Sequence, residues 1–155
     1  MVMVRYRHVN IVAKDWRALS KYYQDVFGCR PMDPQRDYSG EWIENLVGVK
    51  GVKIEGEHVE VPGYGEDGPT FEIFSFKPTA TQGPLKVYDY GFAHICFYVD
   101  DIPAILKKIL EHGGTILSTF EDPYSERCVY TQDPEGNIVE VVLPRKVKDV
   151  YRPSV

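Results

Sequence analysis

The sequence predicts an α+β fold of two βαβββ modules. Three observations predict it: an internal repeat, the same strand–helix–glycine order in both copies, and a strand with a central glutamate closing each copy. Residues 8–28 lie over residues 94–114 at an offset of 86, which places His8 on His94, Asp15 on Asp101, Ala18 on Ala104, Lys21 on Lys107 and Gly28 on Gly114. A repeat decides the architecture before any single element does. The segment Gly68-Pro-Thr-Phe-Glu72-Ile-Phe lies over Gly136-Asn-Ile-Val-Glu140-Val-Val at an offset of 68, so the first copy is the longer by 18 residues. The modules run over about 5–77 and 90–143 of a single domain, 1–155, and 144–155 reads as a solvated tail with Arg145, Lys146, Lys148 and Arg152.

Each copy opens with an apolar run, 8–13 and 94–99, rich in the Val, Ile, Phe and Tyr that suit strands. Asp15 and Asp101 follow at N-cap positions. Trp16, Leu19, Tyr23 and Val26 then make one apolar helix face, and Ile102, Ile105, Leu106 and Ile109 make another. Pro103 falls in a first turn, where its missing N–H is harmless. Gly28 and the pair Gly113-Gly114 stop the helices. Two more strands are expected per copy, near 41–46 and 52–61 in the first and near 115–119 and 128–131 in the second. The extra length of the first copy is expected between Pro31 and Gly51 or between Pro62 and Gly68, stretches of Pro, Gly and charge. Asp133-Pro-Glu-Gly136 reads as the turn into the last strand.

Composition narrows the function. The chain has 155 residues with hydrophobic residues at 43% and charged residues at 26%, the balance of a globular chain with a real core. Net charge is −5 and the isoelectric point about 5.4, which lacks the basic footprint of a nucleic-acid binder. No apolar run approaches the roughly 20 residues that span a bilayer, and no signal-peptide pattern opens the sequence. Cys29, Cys96 and Cys128 are odd in number and far apart, so neither a disulfide framework nor a thiolate zinc site is expected, and reducing cytosol is the expected compartment. Phosphate-loop and nucleophile-elbow spacings are absent.

The chemistry gathers on four residues. On the first strand Val9, Ile11 and Ala13 would pack on the helix, leaving His8, Asn10 and Val12 on the other face. On the last strands Phe71 and Ile73 alternate with Glu72, and Val139 and Val141 with Glu140. One histidine at a strand start, or one glutamate on a strand, is ordinarily a surface residue. His8, Glu72, His94 and Glu140 come as two repeat-related pairs, and two imidazoles with two carboxylates suit a divalent metal.

At these residues the chain resembles the vicinal oxygen chelate superfamily, which includes glyoxalase I, bleomycin-resistance proteins and extradiol dioxygenases. The resemblance covers about 5–143 and rests on His8-Val-Asn-Ile-Val-Ala-Lys-Asp15, Tyr22-Tyr23, Phe27-Gly28, Gly68-Pro-Thr-Phe-Glu72, Gly91-Phe-Ala-His94-Ile-Cys-Phe-Tyr-Val-Asp100-Asp101 and Asp133-Pro-Glu-Gly-Asn-Ile-Val-Glu140. It implies two paired modules curling an eight-stranded mixed sheet around a metal cleft, with His8, Glu72, His94 and Glu140 as ligands of one divalent ion per site (Ni, Co, Zn, Mn, Mg or Fe). It also implies a homodimer and a small-molecule substrate. A fourth ligand, Glu72, argues against the two-His, one-carboxylate iron site of extradiol dioxygenases and against the fosfomycin-modifying members, which the resemblance likewise gives three ligands. It suits Lewis-acid proton transfer alpha to a carbonyl, with Glu72 or Glu140 as base, in a lyase or isomerase of the glyoxalase or epimerase type. A metal-dependent dioxygenase and a non-catalytic, ligand-sequestering protein are the alternatives. Glutathione-dependent members resemble a pattern with Arg four residues after the first His and Asn four after the first Glu. Here Val12 and Phe76 stand at those positions, which favours a more apolar oxo-substrate. Candidate pocket residues are Asn10, Trp42, His58, Glu60, Phe76, Tyr124, Arg127 and Tyr130. Each has an ordinary core or surface alternative.

Overall fold

The computed structural model describes residues 3–65, 67–80, 83–118 and 128–144. The chain divides into two compact units, Met1–Thr81 and Gln82–Val155. The first contains β1 (His8–Val12), α1 (Trp16–Phe27), β2 (Arg30–Tyr38), α2 (Glu41–Val47), β3 (Lys53–Glu60) and β4 (Thr70–Lys77). The second contains β5 (Ile95–Tyr98), α3 (Ile102–Glu111), β6 (Thr115–Ile116), β7 (Cys128–Gln132) and β8 (Ile138–Val142). The eight strands form two four-stranded mixed sheets, ordered β1-β4-β3-β2 and β5-β8-β7-β6. In each, the first and last strands of the unit pair in parallel and the other neighbours are antiparallel. The two sheets thus repeat one βαβββ topology, as the sequence predicts. None of the described helices is long and apolar enough to cross a membrane.

The helices sit where their caps place them. The Asp15 carboxylate accepts from the N–H groups of Arg17 and Ala18, both at 3.1 Å, and Asp101 accepts from Ala104 N–H at 2.8 Å. Gly28 closes α1 with a φ of 73°, a left-handed conformation that glycine adopts without strain. Helix α1 buries Trp16, Leu19, Tyr23 and Val26 as the periodicity requires; α3 buries Ile102, Leu106 and Ile109, with Ile105 half-buried. In the first unit Leu19 and Tyr23 join Val59, Phe71 and Ile73 in the core. In the second, Ile109, Val129, Val139 and Val141 are fully buried. Each such side chain stabilises the fold by about 1.5–3 kcal/mol.

The segment near 41–46, expected as a strand, is helix α2. Gly40 and Gly48 bound it, and Glu41 and Glu44 lie in its first turn, where the helix dipole favours acid. Only Ile43 of this helix is buried, against Val52, Ile54 and Phe74. The strand comes earlier, as β2, and Pro31 and Pro34 disguise it. An edge strand tolerates prolines because one side of its backbone needs no partner, and β2 is an edge whose register shifts between Met32 and Arg36. The extra length of the first module goes largely into this strand and helix. Strand β6 is shorter than the expected 115–119: it ends at Ile116.

The turn before β8 forms as predicted. Asp133 accepts from the N–H groups of Glu135 and Asn137 at 3.0 Å each, and from the Asn137 side chain at 2.8 Å.

Gly56 sits at a close approach in the first sheet. A Cβ there would collide with the Ile73 carbonyl oxygen and the Phe74 ring. Gly56→Ala should therefore lower the unfolding free energy by about 1–3 kcal/mol through overpacking. The measurement is a urea titration. A lower midpoint at unchanged slope is expected, and an unchanged midpoint would show that β3 and β4 part freely.

Candidate functional site

Strand pairing builds the same small constellation in each unit. In the first, β4 lies between β1 and β3, and Glu72 is in register with Asn10 on one side and His58 on the other. Residues in register share a sheet face. Phe71 and Ile73 turn into the core, so Glu72 turns away from α1. Its Oε2 lies 3.3 Å from His8 Nε2 and accepts from Asn10 Nδ2 at 3.3 Å. Its Oε1 lies 3.1 Å from His58 Nε2. His58 Nδ1 lies 3.2 Å from the hydroxyl of the buried Thr70. With His58 neutral, Nε2–H donates to Glu72 and the Thr70 hydroxyl donates to Nδ1. Burial lowers the His58 pKa, opposed by the Glu72 charge, and so favours that neutral form.

The second unit repeats the plan with other side chains. Glu140 is in register with Cys96 on β5 and Tyr130 on β7. Its Oε2 lies 3.2 Å from His94 Nε2, and its Oε1 accepts from Cys128 Sγ at 2.8 Å. The Tyr130 ring meets His94 edge-on, with centroids 5.3 Å apart. Burial, then the Glu140 charge, raises the Tyr130 pKa. The two imidazoles are partly open, with side chains 39% and 31% exposed, whereas Glu72 and Glu140 are 19% and 17% exposed. Each unit therefore offers one reachable His–Glu pair backed by buried strands. Among the described residues, no three His, Cys, Asp or Glu side chains form a ready-made metal-binding group. His8 and His58 approach opposite oxygens of Glu72, with ring centroids 6.0 Å apart, and do not converge on one point.

The other expected pocket residues divide. Asn10 and His58 flank Glu72, and Tyr130 flanks Glu140. Glu60 points to the same face as Glu72, but Arg30 engages it at 2.5 Å. Trp42 is exposed on α2, with its ring on Tyr38 at 5.1 Å. Phe76 is half-buried against the Ile43, Ile54 and Phe74 cluster, and Val12 is exposed on the face that carries His8. Tyr124 and Arg127 lie outside the described residues. Sequence reasoning missed Thr70, Cys96 and Cys128 as partners of this chemistry. The repeat offset was one available signal, since it superposes Cys96 on Asn10.

Comparison with known proteins gives a single family. Residues 5–141 match the model of the Glyoxalase/Bleomycin resistance protein/Dioxygenase superfamily. The uncharacterized protein YaeR of Escherichia coli is 26% identical over 136 residues, 86% of this chain and 92% of that protein. The lactoylglutathione lyase of Schizosaccharomyces pombe is 23% identical across 96% of this chain, which spans 50% of that enzyme. Among solved structures, a glyoxalase family protein of Bacillus cereus superposes with a TM-score of 0.78 at 18% identity, covering 93% of this chain and 97% of that one. The fosfomycin resistance protein FosX of Listeria monocytogenes, an E126Q mutant in complex with Mn(II) and a dihydroxypropylphosphonic acid, gives 0.57 at 13% identity, covering 97% and 100%. At such identities the structural likeness shows the fold.

The three thiols are free. Burial is the largest cause holding Cys29 at about 12, Cys96 at about 12 and Cys128 at about 11, and the Glu140 carboxylate adds to the last two. The ordinary value is 9.0, so the Cys29 thiolate at pH 8 is depleted about a thousandfold. In a Cys96→Ser/Cys128→Ser protein, Cys29 should resist a disulfide reagent at pH 8 and react at once in guanidinium. Rapid native labelling would show that the region around α1 and β2 opens readily.

Proposed function

The chain belongs to the glyoxalase/bleomycin resistance protein/dioxygenase superfamily, and on that premise we propose that it is a divalent-metal-dependent lyase or isomerase that moves a proton alpha to a carbonyl of a small oxo-substrate. His8, Glu72, His94 and Glu140 are its proposed metal ligands. The observation that carries the reading is the repeated pair. In both units an imidazole Nε2 stands 3.2–3.3 Å from a carboxylate Oε2, on the first and last segments of the same topology. Two nitrogens and two carboxylates are a donor set that Zn, Ni, Co, Mn, Mg and Fe all accept. The Mn(II) held by the FosX structure and the lyase activity of the yeast relative's name agree with it.

A bound ion would supply Lewis-acid polarisation of the substrate carbonyl. The protein's own groups do the rest. His58 and Asn10 hold the Glu72 carboxylate by N–H donors, and Cys128 holds one oxygen of Glu140, so each carboxylate is kept in place rather than sweeping through solvent. Either can take the proton from carbon and return it, as general base and then acid. Asn10, His58 and Tyr130 border the carboxylates. Val12 and Phe76, on the Glu72 face, and Trp42 beyond them favour an apolar substrate body over a charged tripeptide.

Elemental mass spectrometry of untagged protein tests the reading. About one divalent ion per chain is expected, lost in a His8→Ala/Glu140→Ala variant. With a turned-over oxo-substrate, Glu72→Gln that keeps its metal should lose at least about a hundredfold in solvent-deuterium exchange at the alpha carbon, if Glu72 is the base. A protein that takes up no specific metal after reconstitution is not this enzyme.

A further inference from the structure

One cation on the Glu72 face of the first unit has a buried nitrogen with no hydrogen bond among the described residues. Arg36, on β2, is in register with Gly56, which is in register with Phe74. Its side chain therefore leaves the sheet on the face of His58 and Glu72, the face opposite α1. The Arg36 Nη1 is buried and makes no hydrogen bond. The guanidinium charge is felt at His58, where it opposes protonation. Other arginines of this unit are engaged: Arg5 with the Asp67 carbonyl, Arg7 with the Gly68 carbonyl, Arg30 with Glu60, and Arg17 over the Trp16 ring. The neighbouring acids are engaged too. Lys53 holds Asp37 and Glu55, and Ser20 and Gln35 hold Glu57. A buried N–H left without an acceptor costs about 1–3 kcal/mol. Here that cost falls on the sheet face that carries His58 and Glu72.

We propose that Arg36 receives an anionic group of the substrate, a carboxylate or a phosphate. This rests on the proposed function for the reaction, and it narrows the substrate to an apolar oxo acid or its phosphorylated analogue. The geometry suits the task. Strands lie about 4.8 Å apart, and Glu72 stands two residues along β4 from the Phe74 that lies across from Arg36, so the two backbones are roughly 12 Å apart, a span within reach of an arginine side chain and a small molecule together. Gly56 carries no side chain, and the Phe74 ring packs over it, so an apolar surface lies between Arg36 and Glu72. The register shift between Met32 and Arg36 is the kind of irregularity that re-aims a side chain at a site. Beyond Arg36 on the same face, Tyr38 and Phe76 pack against an apolar cluster, and Trp42 lies on Tyr38. A guanidinium fork beside an apolar wall selects a planar oxyanion on a hydrophobic body.

The test is calorimetric binding of phenylpyruvate, its methyl ester and phenyl phosphate to wild type, Arg36→Met and Arg36→Lys, each metal-loaded and after chelation. Wild type should bind an anion at least about tenfold more tightly than the ester, Arg36→Met should abolish that preference, and Arg36→Lys should keep part of it. Arg36→Met should also fold with an undiminished melting temperature, because the lost Nη1 has no bond to lose. Whichever of the two acids binds better identifies the anionic group as carboxylate or phosphate. Equal affinity for acid and ester, no uptake of either acid, or an acid preference that survives Arg36→Met overturns the proposal. Metal content is read on the same samples. An acid preference without metal uptake upholds Arg36 and removes the metal reading, whereas metal uptake without the preference does the reverse.

Discussion

The parallel pairing of the first and last strand in each unit is the constraint on which the rest depends. It sets Asn10 beside Glu72 and Cys96 beside Glu140. A slip of one residue in either pair would carry the glutamate to the helix side and send a core residue to the open face. The core enforces the register. Phe71 and Ile73 in one unit, and Val139 and Val141 in the other, are buried on the helix-facing side. Burying them and exposing the carboxylates between them are one event. Parallel strands also need a long crossover, and α1 and α3 begin each of these. The sequence separations within the two pairs, 72 − 10 = 62 and 140 − 96 = 44, differ by 18, the length difference that the repeat offsets require. The insertion in the first module therefore passes through the crossover without disturbing the pairing.

What was legible in the sequence was what period and repetition determine. His8, Glu72, His94 and Glu140 stood out because two copies place them alike and because alternation separates them from the core. The helices were legible through Asp15, Asp101 and Gly28. Strand β2 was not, because its identity lies in its position at the sheet edge, a tertiary fact, while Pro31 and Pro34 speak locally against any strand. Helix α2 was missed for the converse reason. Its seven residues bury only Ile43, so they carry no helical stripe. Arg36 escaped because its face follows from a register shift that no periodicity contains. The thiol partners of Glu140 escaped because cysteines were weighed as bridges and metal ligands, not as hydrogen-bond donors.

Strand β3 shows how closely the two faces are coupled. Glu57 is buried on the helix side, where the Ser20 hydroxyl donates to it at 2.5 Å and Gln35 reaches it at 3.3 Å; Gln24 in turn donates to Ser20 at 3.0 Å. The next residue, His58, faces Glu72 on the opposite side. A buried carboxylate is tolerated only when its lone pairs are satisfied, so this network ties α1 and β2 to the point on β3 from which His58 projects. Position and chemistry at Glu72 are thereby fixed from behind, by groups that never touch a ligand.

The two modules part company in the partners of their carboxylates. Glu72 is held through nitrogen donors on both oxygens, and the imidazole among them is anchored to a buried threonine. Glu140 has a thiol on Oε1. Thiols are weak donors and amides and imidazoles are strong ones, so exchanging a partner costs more at Glu72 than at Glu140. An incoming polar group or cation meets a firm carboxylate in one unit and a more yielding one in the other. Repetition of the backbone thus does not carry repetition of function with it. The duplicated topology fixes where the two carboxylates stand, and a few substituted neighbours (Asn10 against Cys96, His58 against Tyr130) decide how readily each changes partner.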